Sequence, residues 1–140
     1  MRPIICCAGT FMHFGSKWLD FWLQILKPFI STYVKDGNQV LNEIGSLNLP
    51  PHALLFVTDA NYMYSNIDAD HAIIVITWWL KDLLDKKELP PNFPLDAVLS
   101  DMTTIMGNNI FEFGDCYFLK LLGTAMCTSV AVMWVTLYYA

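Results

Sequence analysis

Three rhythms of apolar and polar positions run along the chain. From Lys17 to Lys27, residues Trp18, Phe21, Trp22, Ile25 and Leu26 recur at helical spacing, which predicts a helix with an aromatic face packed in the core. Ser16 suits its N-terminal cap and Pro28 its end, while Gly9 and Gly15 interrupt the pattern around Phe11–Phe14. Before it, Arg2-Pro3-Ile4-Ile5 is expected to be extended. A turn at Asp36-Gly37-Asn38 leads to a second amphipathic helix over Gln39–Leu47, with Val40, Leu41 and Ile44 on its apolar side, stopped by Leu49-Pro50-Pro51. Ala53-Leu54-Leu55-Phe56-Val57-Thr58 is then apolar almost without interruption. It is too short for a helix core and rich in strand formers, so it predicts a strand buried on both faces, with Asp59 at its tip.

Asp68 and Asp70 place acidic groups where a helix would begin. The run from His71 to Leu84 is apolar nearly all round. Its β-branched residues would allow a strand locally, but its length and acidic start favour a helix packed on both sides. Asp85–Pro94 is charged and proline-rich and reads as a connector. Leu95–Met106 predicts another helix, ended by Gly107-Asn108-Asn109. Residues Ile110–Leu119 alternate around Gly114-Asp115, a β-hairpin signal. Lys120–Thr128 is a loop, and Ser129–Ala140 resumes as an apolar segment. The fold class is therefore α+β, mostly helical, with a short antiparallel sheet and a β-hairpin.

Composition sharpens this picture. The 140 residues suit one domain or part of one; 55% are hydrophobic and 15% charged, more apolar and less charged than a soluble domain usually is. Either the chain enters a membrane or its apolar faces need a partner. A net charge of −5 argues against strong nucleic-acid affinity by this chain alone. Cys6, Cys7, Cys116 and Cys127 have no C-x-x-C spacing, and His13, His52 and His71 form no H-E-x-x-H, so neither a zinc site nor a disulfide framework is expected. The N-terminus lacks the apolar core of a signal peptide. Localisation is expected to be intracellular, in cytoplasm or nucleus.

Two segments go beyond generic patterning. Thr58-Asp59-Ala60-Asn-Tyr-Met-Tyr64-Ser-Asn66-Ile67 resembles the first catalytic motif of retroelement reverse transcriptases, which reads like D-x-x-x-L-Y-T-N-I. Gly123-Thr-Ala-Met126, with Leu137-Tyr-Tyr139 behind it, resembles the second, Q-x-x-G-T-A-M-G-T followed by a small-residue helix. The hairpin Phe111-Glu-Phe-Gly-Asp115 and Arg2-Pro3-Ile4 also fit the family in order and spacing. The resemblance implies a partial fingers–palm of a right-hand polymerase: residues 1–50 a helical, fingers-like part and 51–140 a partial palm.

The same resemblance implies an RNA-directed DNA polymerase, with Mg2+ as cofactor and an RNA or DNA template-primer and a deoxynucleoside triphosphate as partners. Asp59 would be a metal-bridging catalytic carboxylate and the Ala60 carbonyl a backbone ligand. Tyr64 would be the steric gate against a ribose 2′-hydroxyl, Gly123 would let the backbone approach the nascent pair, and Lys120 and Arg2 would face the nucleotide. Blander readings stand beside these: Asp59 as a turn residue, Tyr64 as a core aromatic, Arg2 as a solvated terminal residue. The sequence departs from the family at Lys120, where Gln is usual, and at Cys127, where a second Gly is usual. A positive φ at Cys127 would strain it by roughly 1 kcal/mol or more. The Y-x-D-D motif and the thumb are not within the 140 residues, and Asp68, Asp70 and Asp115 lie in the wrong context to replace the missing carboxylates. The expectation is a truncated, inactive fragment that binds magnesium weakly and exposes apolar faces able to self-associate. Two other readings are a single-span membrane protein, using Leu121–Ala140 as its helix, and a non-catalytic interaction module.

Overall fold

The structure, a computed structural model, describes residues 10–140, with Phe11 described by its backbone alone. Arg2, the extended Arg2–Ile5 segment, Cys6, Cys7 and Gly9 lie outside the described residues. Among the described residues the fold is α+β: five helices and one two-stranded antiparallel sheet.

Helix α1 runs Phe11–Gln24, starting earlier than the sequence suggests. Gly15 and Ser16 lie inside it. Ser16 is buried and, instead of capping the helix, donates from Oγ to the His13 carbonyl at 3.0 Å. Another helix lies close against Gly15: a Cβ there would come within 3.1 Å of Ile105 Cδ1. The face turned inward also differs from the expected aromatic stripe. Leu19, Leu23 and Leu26 are fully buried, whereas Trp18 and Phe21 are exposed and Trp22 packs edge-on against Phe93, with ring centroids 5.3 Å apart. Slender aliphatic side chains fill the close helix–helix seams and the bulky rings are left at the margin. Pro28 falls in a single 3-10 turn, Lys27–Phe29, just beyond the helix.

Helix α2, Gly37–Ser46, is set by its cap: Asp36 Oδ1 accepts from the Gln39 amide at 3.0 Å, and Gln39 Oε1 accepts from the Lys35 amide, also at 3.0 Å. None of its residues is buried, so Val40, Leu41 and Ile44 face solvent. The expected strand over Ala53–Thr58 is not formed. Residues 53–60 carry no regular secondary structure, and Leu54, Leu55, Phe56 and Val57 are exposed, Val57 to 96%. A strand needs a neighbouring backbone to pair with, and no described residue provides one here; apolar composition alone cannot supply a ladder.

Helix α3, Ala69–Asp85, begins as expected, with Asp68 Oδ1 accepting from the His71 amide at 3.0 Å. Ala72, Ile76, Leu80 and Leu83 are buried, but Ile74 and Trp78 are exposed, so the helix is covered over part of its circumference only. It ends in a Schellman motif: Glu88 N donates to Leu83 O and Lys87 N to Leu84 O, both at 3.0 Å, with Lys87 at φ 57°. Leu89 then anchors the connector in the core. Helix α4, Leu95–Gly107, buries Val98, Met102, Ile105 and Met106.

The hairpin forms where the alternation places it. Strands β1 (Ile110–Phe113) and β2 (Cys116–Leu119) pair with Phe111 opposite Phe118 and Phe113 opposite Cys116. Gly114 takes φ 63° at the first position of the two-residue turn, the type II′ geometry that matches strand twist. This hairpin is the only sheet among the described residues. Helix α5, Ala131–Tyr139, buries Ala131, Met133, Trp134, Val135 and Leu137. It packs on α1 and α3, which in turn pack on α4, and these four helices enclose one core around Trp134. The stretch 121–140 is therefore a loop followed by a nine-residue helix. Among the described residues no helix is long and apolar enough to cross a membrane.

Candidate functional site

The two motif segments, far apart in sequence, meet at the end of α5. After the exposed Asp59 and Ala60, residues Asn61–Asn66 fold into a tight turn. Tyr62 adopts φ 54°, and its carbonyl accepts from Ser65 N at 2.8 Å and Asn66 N at 3.1 Å. The next residue, Ile67, is fully buried and fixes the turn to the core.

The Lys120–Thr128 loop docks on this turn through the main chain. Gly123 N donates to Ile67 O and Thr124 N to Tyr64 O, each at 2.7 Å. Gly123 has φ +86°, and a Cβ there would sit 2.7 Å from both the Cα and the carbonyl oxygen of Ser65. Two independent constraints, conformation and space, thus require glycine. Cys127, by contrast, is not at a positive φ, so the strain foreseen there is absent.

Side chains reinforce the joint. Lys120 Nζ donates to the Thr124 carbonyl at 3.0 Å, and burial holds its pKa below the ordinary lysine value. Thr128 Oγ1 donates to the Ala125 carbonyl at 2.6 Å. From α5, Tyr139 donates its hydroxyl to Met63 O at 3.4 Å, and the Tyr138 hydroxyl lies 3.1 Å from His71 Nδ1. The Tyr64 side chain is half-buried and packs against the core.

Of the residues singled out from the sequence, Tyr64, Gly123 and Lys120 belong to this one junction. Asp59 and Ala60 precede it on exposed chain without secondary structure rather than at a strand tip. Ser65, Ile67, Tyr138, Tyr139 and His71 were not foreseen in these roles. A tyrosine pair closing an apolar helix is the one sequence signal that could have suggested the last contacts. The residues do not fit a magnesium site by themselves. Asp59 and the Ala60 carbonyl offer one carboxylate on exposed chain, and among the described residues no group of three or more His, Cys, Asp or Glu is placed to hold a metal.

No family model, no curated protein and no solved structure matches this chain.

Proposed function

We propose that this chain is the fingers–palm portion of a retroelement-type RNA-directed DNA polymerase, inactive in template-directed synthesis as residues 1–140 alone. The observation that carries the reading is the backbone joint between Gly123-Thr124 and Tyr64–Ile67. The two segments that resemble the family's first and second motifs lie more than fifty residues apart, yet they are held together at a position where only glycine fits. A palm active site needs these segments adjacent, because the carboxylate-bearing segment and the glycine loop work on the same nucleotide. In this reading Asp59 is the catalytic carboxylate, Tyr64 the sugar-facing aromatic and Gly123 the point of close approach, with template-primer and deoxynucleotide as the partners. A metal-dependent step is not assigned to residues 1–140, whose single suitable carboxylate falls short of what magnesium requires.

The test is a graft. Residues 53–67 and 120–128 of this chain replace the matching segments of an active retroelement reverse transcriptase. The chimera is expected to extend a primer in a template-directed, magnesium-dependent manner, and the same chimera carrying Asp59→Asn is expected to lose extension. A chimera no more active than its Asp59→Asn version contradicts the reading.

A second reading, a non-catalytic interaction module, draws on the exposed apolar residues of α2 and of 53–57, which nothing in the described chain covers.

A further inference from the structure

The seam between α1 and α4 carries a carboxylate that core packing does not explain. Asp101 stands opposite Gly15, close enough that a Cβ at Gly15 would lie 3.3 Å from Asp101 Oδ1. Its Oδ2 is buried and has no hydrogen-bond partner among the described residues. Burial pushes its pKa up. Buried polar atoms are nearly always paired, so Oδ2 is held at a cost to the fold, and Oδ1 is the oxygen a molecule in the groove can reach.

Beside this carboxylate lies a solvent-open groove of about 530 Å³, walled by Phe14 and Trp18 on α1 and by Ser100 and Thr104 on α4. Phe14 is 77% exposed and Trp18 39%, so two aromatic rings stand beside the acid with open surface. Among the described residues no basic side chain lines the groove. Thr104 spends its hydroxyl on the Ser100 carbonyl at 2.9 Å. One acid sharing a groove with two aromatic rings, in a chain of net charge −5, makes a receptor for a cation that can stack. A hydrated divalent ion would want more than the single carboxylate that lines the groove. A guanidinium is planar, weakly hydrated, and able to lie on a ring face while donating to a carboxylate, which suits it better than an ammonium.

We infer that the α1–α4 groove receives an arginine side chain of a partner polypeptide, stacked on Trp18 and Phe14 and paired with Asp101. Nothing in this rests on the polymerase reading, and the site is separate from the Gly123 joint.

The test is an NMR titration of the 140-residue chain with an acetylated Gly-Arg-Gly amide, with its citrulline counterpart and with methylguanidinium. The arginine tripeptide is expected to shift the resonances of Gly15, Trp18 and Asp101. Citrulline, which keeps the shape and loses the charge, is expected to bind about tenfold more weakly, as is the arginine peptide to Asp101→Asn. Asp101→Asn removes a poorly solvated charge and so leaves the fold intact; the citrulline comparison on the unaltered chain gives an independent reading. Equal binding of citrulline, equal binding by Asp101→Asn, or no shift up to about 10 mM peptide would overturn the inference. So would methylguanidinium binding as tightly as the tripeptide, which would remove the polypeptide from the proposal.

Discussion

Gly123 shows how one residue decides whether two distant segments meet. Its amide donates to Ile67 O, its φ is +86°, and Ser65 fills the space where a side chain would go. Gly123→Ala should therefore cost about 2 kcal/mol or more, from the left-handed backbone and the clash together, read as a lower midpoint in urea unfolding. Asp101 makes the opposite case, a residue the fold tolerates at a cost. Its pKa in the folded chain lies above the ordinary value of 3.8, so the folded state disfavours the ionised form. That penalty is absent below the unfolded value and grows as pH rises through the raised one, so its contribution to stability falls with pH. Asp101→Asn is expected to melt at a higher temperature than the unaltered chain at pH 7, with the gap closing below about pH 4. Thermal melts across that range check it.

At the scale of elements, capping and turn chemistry proved more legible than burial. Asp68 at the start of α3 and Gly114-Asp115 in the hairpin stand where the sequence suggests, because each satisfies local backbone geometry by itself. The Schellman end of α3 invites a test: Lys87 occupies a left-handed position normally given to glycine. Lys87→Gly should stabilise the chain by roughly 0.5–1 kcal/mol, measured by the same urea midpoints. What failed to read correctly depends on partners. Ala53–Thr58 has strand composition but no neighbouring strand among the described residues, and the aromatic residues that periodicity assigns to the inner face of α1 lie at the margin, while its leucines fill the core. Periodicity reports that a face is apolar, not what will lie against it. The joint at the candidate site was legible only in part. Tyr64 and Gly123 were marked by motif, but the carbonyls of Tyr64 and Ile67 that bind the loop are main-chain groups with no sequence signature. Arg2 lies outside the described residues, and Asp59 stands on exposed chain.

For the whole molecule, the surface is the unusual part. Four helices close a core around Trp134, while the apolar residues of α2, of 53–57 and of the hairpin remain exposed. In the proposed polymerase reading the exposed residues of 53–57 and of the hairpin, in the partial palm, would pack against further strands bearing the remaining acids; the exposed side of α2 lies in the fingers-like part and is not covered by that account. The most direct measurement is the sequence of the coding DNA beyond codon 140, read in all three forward frames over roughly the next hundred codons, the span of a domain's remainder. The account predicts a Y-x-D-D-type aspartate pair there, following an apolar strand pattern; its absence from every frame would contradict the assignment of Asp59, Tyr64 and Gly123 to a polymerase site.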